Sequence, residues 1–128
     1  MLFEVLEDHR DGWTVLTVIG ELDLGAAPRV RQAVLRAVTA ADRRRDDDGS
    51  PVPLRLLFDL REVDLIDSSG LGIIMGALRR VRAAGGQLAV ATVGPVRTVF
   101  EVTQLDRILA LGDTLTDAMA AADGKVPG

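Results

Sequence analysis

Residues 54–93 read LRLLFDLREVDLIDSSGLGIIMGALRRVRAAGGQLAVATV, and the change of hydrophobic period along this stretch decides the fold. Leu54 to Leu60 is a nearly continuous apolar run, the signature of a strand covered on both faces or by helices on at least one. From Ser69 onward, Leu71, Ile74, Met75, Leu78 and Val81 recur at three- and four-residue intervals, the stripe of a helix that buries one face. Arg79, Arg80 and Arg82 take the other faces. Gly85-Gly86 stops the helix, because glycine adopts the left-handed backbone that ends a helical turn. Leu88 to Val93 then gives a second short strand. Strand, helix and strand in this order form a parallel crossover unit, with Leu54–Leu60 as the central strand.

Upstream of this unit, Leu2 to Glu7 and Trp13 to Ile19 flank Asp11-Gly12 and read as a β-hairpin. After Gly20-Glu21-Leu22-Asp23, Val30, Val34, Ala37 and Ala41 follow a helical stripe, with Pro28 tolerated in its first turn. Residues 43–53 begin with Arg43-Arg44-Arg45-Asp46-Asp47-Asp48 and offer two opposite charge blocks and nothing to pack, so a solvated loop is expected. Downstream, Pro95 starts a third helix through Val99 and Val102. Ile108 to Leu111 reads as an edge strand and Thr114 to Ala122 as a last helix. The class is α/β: one domain over 1–122, a mixed sheet of four to five strands that is largely parallel after the hairpin, and about four helices. Residues 123–128 read as a disordered tail.

Composition removes several functions. With 128 residues, 48% of them hydrophobic, the chain suffices for one core. Fifteen basic against 19 acidic residues, net −4, argue against nucleic acid, and three Phe with one Trp provide no base-stacking platform. There is no cysteine, hence no disulfide, thiolate metal site or thiol nucleophile. No stretch approaches the roughly 18 apolar residues of a membrane span, and the N-terminus lacks a basic segment followed by an apolar run, so a cytoplasmic protein is expected. The one histidine, His9, sits by the hairpin turn as a surface residue. The one lysine is Lys125. Neither a Ser-His-Asp triad nor a histidine-rich metal site can be built from this inventory, so no catalytic residue, metal or cofactor is assigned.

Gly70-Leu71-Gly72-Ile73-Ile74-Met75-Gly76 imitates a dinucleotide-binding glycine run. Two points oppose it: about nine residues separate Leu60 from Gly70, and Ala91-Thr92 stand where the ribose-binding acid should be. Asp67-Ser68-Ser69-Gly70 carries more information. Asp67 is placed to cap the following helix by accepting from the N–H of Ser69 or Gly70, at the positive end of the macrodipole. Ordinary capping accounts for that much. Ser68, ahead of the buried stripe, should also expose its hydroxyl, while Gly70 and Gly72 leave room for another protein to approach the backbone.

Taken together, Gly20-Glu21-Leu22-Asp23 after a hairpin, an apolar strand, the string from Val63 through Asp67-Ser68-Ser69-Gly70-Leu71-Gly72, a helix ending in Ala84-Gly85-Gly86 and a strand leading to Gly94-Pro95 resemble the STAS domains of anti-sigma factor antagonists. The resemblance spans about Leu2 to Ala122. It implies partner switching: the unphosphorylated form binds an anti-sigma factor that is a serine kinase and so frees the sigma factor, the kinase phosphorylates its captor, and a serine phosphatase restores the binding form. The resemblance places the modified serine at Ser68, with Ser69 as rival acceptor, and a contact or orienting role at Asp23. Partner contacts are expected at Asp23, Asp67, Ser69, Gly70 and Gly72. The loop 43–53 is longer than the family pattern. A scaffold or ligand-sensing subunit of a larger assembly is the alternative reading.

Overall fold

The computed structural model describes residues 3–124. β1 (Glu4–Arg10) and β2 (Trp13–Leu22) pair antiparallel, with Arg10 facing Trp13 across a two-residue loop. Asp11 and Gly12 have φ of 55° and 84°. Two successive left-handed residues are what a type I′ turn requires, and Asp-Gly adopts it at little cost. The expected first residue of the hairpin, Leu2, lies outside the described residues. There follow α1 (Ala27–Asp42), β3 (Arg55–Ile66), α2 (Ser68–Ala83), β4 (Gln87–Ala91), α3 (Gly94–Val102), a 3-10 turn (Leu105–Arg107), β5 (Ala110–Gly112) and α4 (Leu115–Gly124).

Strand order is β1-β2-β3-β4-β5, parallel after the hairpin. Each crossover steps to the next strand in one direction, and parallel crossovers are right-handed, so α1, α2 and α3 belong on one face. Packing agrees. Val30 of α1, Ile74 and Val81 of α2 and Phe100 of α3 share a core with Leu16, Phe58 and Val90 of the sheet. α4 takes the opposite face and sets Ala118 and Ala122 on Trp13, Leu57 and Ala89. Leu56 to Leu60 are buried throughout, as a central strand between two layers must be.

α2 ends in a Schellman motif. Gly86 N–H donates to the Val81 carbonyl at 2.9 Å, Gly85 N–H donates to the Arg82 carbonyl at 3.0 Å, and Gly85 has φ of 77°.

Several boundaries differ from the sequence reading, each for a physical reason. β3 ends at Ile66 rather than Leu60. β4 stops pairing at Asp59↔Ala91, and beyond that point β3 pairs with β2 alone, out to Leu22↔Ile66. The β3 residues of this ribbon are exposed except Val63 and Ile66, so Arg61, Glu62 and Asp64 interrupt the apolar run without ending the strand. The loop after α1 is exposed from Asp42 to Pro51, as expected, but it is not irregular. The Asp46 carboxylate accepts from the N–H of Asp48 and Ser50 at 3.2 and 3.0 Å, that of Asp48 accepts from Ser50 N–H at 2.9 Å, and Arg45 bridges Pro51. The aspartates form turns instead of merely carrying charge. The edge strand is Ala110–Gly112, because Leu105–Arg107 coils into the 3-10 turn before it. Asp123 and Gly124, expected in a disordered tail, belong to α4, where the Asp123 carboxylate accepts from Arg55 at 2.6 Å. Residues 125–128 of that expected tail lie outside the described residues.

Candidate functional site

β2 and β3 run parallel and end side by side: Leu22 faces Ile66, and Asp67 N–H donates to the Leu22 carbonyl at 3.3 Å. The next residues, Asp23 and Asp67, therefore leave neighbouring strands at the carboxyl edge of the sheet, the edge where open α/β sheets place their sites. Each aspartate then turns the chain toward a helix. Asp67, with extended backbone, is the N-cap of α2, and its carboxylate accepts from Gly70 N–H at 3.0 Å. The Asp23 carboxylate accepts from Ala26 N–H at 3.0 Å, while its carbonyl accepts from the N–H of Ala26 and Ala27. This closes the turn that leads into α1.

Directly after the Asp67 cap, Ser68 is exposed and Ser69 half-buried. Ser68 opens α2, so its hydroxyl stands in water beside the positive end of the helix. Gly72 is exposed with nothing near the position of a Cβ. Gly70 is different. It is buried, and a Cβ there would collide with the Leu22 carbonyl oxygen and the side chains of Ile66 and Leu22. The expectation that Gly70 leaves room for a partner is corrected: its missing side chain lets α2 settle onto the end of β2.

Because β3 runs to Ile66, the spacing argument against a dinucleotide site falls, but others take its place. Gly70 packs against the Leu22 carbonyl and the side chains of Leu22 and Ile66, so its backbone is closed to a pyrophosphate. Ala91 and Thr92 still stand where the acid is required, and Thr92 is buried.

The sequence reading missed Asp59 and Arg61. Asp59, buried within the central strand, accepts from Nε and Nη2 of Arg61 at 2.9 and 3.0 Å. That paired carboxylate raises the Arg61 pKa above its ordinary value. The pair sits where β4 ends and the β2–β3 ribbon begins. An acid inside an apolar run, two residues before an arginine, was its available signal, since i and i+2 share one face of a strand. Among the described residues no cluster of His, Asp or Glu has metal-holding geometry, and no helix is long and apolar enough to cross a membrane. His9 is exposed, 3.3 Å from Glu7.

Neighbouring strand ends turned by aspartates, with an exposed serine after the Asp67 cap, fit a known pattern. Residues 5–118 match the family model described as the STAS domain. The chain belongs to the STAS domain family. Among relatives of this STAS domain, the anti-sigma F factor antagonist of Paenibacillus polymyxa is 27% identical over 93% of this chain and 94% of its own length. The anti-sigma-B factor antagonist of Listeria monocytogenes is 30% identical over 81% and 79%. The crystal structure of an anti-sigma factor antagonist from Mycobacterium paratuberculosis superposes with a TM-score of 0.78 at 30% identity, covering 95% of each chain. At family level the STAS domain is thus related to anti-sigma factor antagonists.

Proposed function

We propose that this STAS domain is a cytoplasmic anti-sigma factor antagonist whose binding is switched by phosphorylation of Ser68. In the unphosphorylated state it captures an anti-sigma factor that is a serine kinase, and the sigma factor is released. The observation that carries this reading is the exposed Ser68 at the start of α2, directly after the Asp67 cap, at the sheet edge where the Asp23 turn leaves the neighbouring strand. The names of the relatives support an anti-sigma factor as the partner.

The chemistry follows from the position. The Ser68 oxygen bonds to the γ-phosphorus of ATP, the bond to the leaving ADP breaks, and a base of the kinase takes the hydroxyl proton. The product carries about −1.5 to −2 charges beside Asp67. The N-terminus of α2 accommodates that anion, so the fold survives. The captor interface does not accommodate it: a kinase that has just phosphorylated Ser68 holds the phosphates of ADP against the same spot, and facing like charges cost several kcal/mol. Since about 1.4 kcal/mol is tenfold in affinity, one phosphate suffices for release. A serine phosphatase then resets the cycle. Asp23, Asp67, Ser69 and Gly72 form the contact surface in this scheme, and Gly70 holds the helix in place behind it.

The test is intact-mass spectrometry with site mapping after incubation with ATP and each purified anti-sigma serine kinase of the same genome, alongside capture of the kinase in the presence of ADP. One phosphate on Ser68 and loss of capture are expected. Stoichiometric modification of Ser68→Ala at an unchanged rate would move the acceptor to Ser69 or elsewhere. A stable large assembly, with no phosphate and no nucleotide-dependent capture, would make the domain a scaffold or sensor subunit instead.

A further inference from the structure

Beside Ser69 and Gly72 the surface dips into a groove of about 450 Å³ between α1 and α2. Leu24 and Leu35, 73% and 38% exposed, line it, and Arg31, Arg79 and Arg80 border it. Arg55, Arg61 and Arg97 each meet a carboxylate at 2.6–3.0 Å, whereas most of the other described arginines meet none. Among the described residues, Arg31, Arg79 and Arg80 have no carboxylate within ion-pair distance. Three unneutralised cations around one depression, on a chain of formal net charge −4, form a local field opposite to that of the molecule. The groove also keeps its depth at a cost to the helix. Gly76 lies in the interior of α2, where glycine weakens a helix, yet a Cβ there would meet nothing closer than the Arg79 guanidinium at 4.0 Å.

We propose that this groove docks an acidic segment with an apolar side chain at its tip, supplied by the same kinase that meets Ser68. The leucines take the apolar group and the arginines take the carboxylates, the arrangement of a helix or strap laid between two helices. This rests on the kinase-substrate reading above and adds a second, separate point of recognition to it. Exposed leucines contribute nothing to binding a polyphosphate, and a concave groove between two helices suits a side chain entering it better than a flat lipid surface, so a protein segment fits better than nucleic acid or an anionic membrane. Arginine beside apolar surface is also the composition of strong protein–protein contacts. Two recognition points divide the labour. The hydroxyl end reports phosphorylation state, while the groove selects the partner and speeds its arrival by charge.

The experiment uses the full chain and a purified anti-sigma serine kinase of the same genome, with ADP, measuring Kd at low and high salt and kcat/KM for Ser68 phosphorylation. Arg31→Glu/Arg79→Glu/Arg80→Glu should weaken binding about 100-fold at low salt and flatten its salt dependence. The control Arg43→Glu/Arg44→Glu/Arg107→Glu makes the same change of net charge outside the groove and should stay within about threefold of wild type, because exposed charges beyond a Debye length are screened. Gly76→Leu fills the groove without altering charge and should weaken binding about tenfold, the loss for about 1.4 kcal/mol of contact. If the triple variant fails to fold, Gly76→Leu decides alone. Binding by both groove variants within about twofold of wild type, while Ser68→Asp still weakens capture about 100-fold, would remove the groove and leave the switch standing. Wild-type binding to a 20-mer single-stranded DNA or to phosphatidylglycerol vesicles, lost in the triple variant, would overturn the inference in favour of a polyanion. If no kinase of that genome is captured or phosphorylates Ser68, the function and the groove fall together.

Discussion

The two ends of α2 solve the same problem in opposite ways. At the C-terminal end the backbone satisfies itself: Gly85 and Gly86 return two N–H groups to the last turn, and Gly86 presses so closely on the Leu54 carbonyl that no side chain fits. At the N-terminal end Gly70 presses on the Leu22 carbonyl in the same manner, but the capping group is a side chain, Asp67, and the residue after it shows its hydroxyl to water. Packing is equally tight at both ends, and only one leaves chemistry exposed. Close packing fixes where Ser68 stands, and the side-chain cap leaves charge and hydroxyl within reach of another molecule.

The largest expected effect tests the shared part of this comparison. Gly70→Ala and Gly86→Ala each place a Cβ 2.2 Å from a backbone oxygen. Denaturant unfolding should show each destabilised by about 3 kcal/mol, at the upper end for overpacked interiors. Gly72→Ala has nothing within 4 Å and should stabilise by about 0.5–1 kcal/mol. Next in size, Ser68→Asp should weaken kinase capture about 100-fold while leaving the unfolding midpoint unchanged, since the helix end tolerates the added charge. A shifted midpoint would mean that Ser68 is part of the packing.

Removing the caps should cost less and should cost both ends alike. Asp67→Ala is expected to lose about 1 kcal/mol with its hydrogen bond to Gly70, whereas Asp67→Asn, an equally good cap, should lose little. Gly85→Ala forces a Cβ into a left-handed backbone and should lose about 1–2 kcal/mol. Only the Asp67 variants should change phosphorylation of Ser68. The smallest effect belongs to the other acidic turn. The Asp48 carboxyl is held down to about 2, from 3.8, first by its hydrogen bond with the Asp46 side chain and then by the Ser50 hydroxyl and N–H. A depressed carboxyl stabilises the folded form above pH 3.8, and that contribution fades as pH falls toward 2. Carbon-detected NMR of Asp48 should show its titration in that window, with the amides of Ser50 and Gly49 shifting together.

Much of this fold was legible because its signals are local. The apolar run from Leu54, the stripe from Leu71 to Val81 and the Asp11-Gly12 turn each declare an element within a few residues. The Asp67 cap was equally legible, since capping depends on a three-residue span. The illegible parts depend on what lies across space. Nothing near Leu60 tells that β4 will stop beside Asp59 and let β3 continue as a two-stranded ribbon. Nothing around Gly70 tells that Leu22 will lie against it, so an open glycine and a packed one look alike in the string Gly70-Leu71-Gly72. Asp123 reads as tail until Arg55, distant in sequence, is seen to hold it.

The sequential strand order has a consequence for how the molecule is made. Parallel sheets in which late strands insert between earlier ones must wait for the whole chain, but here each new strand adds to an edge already formed. The hairpin, α1, β3 and α2 emerge from the ribosome first and contain both strand ends that hold Asp23 and Ser68. The pairing that holds the switch end therefore uses no residue of β5 or α4, and changes in that last segment bear on durability more than on signalling geometry.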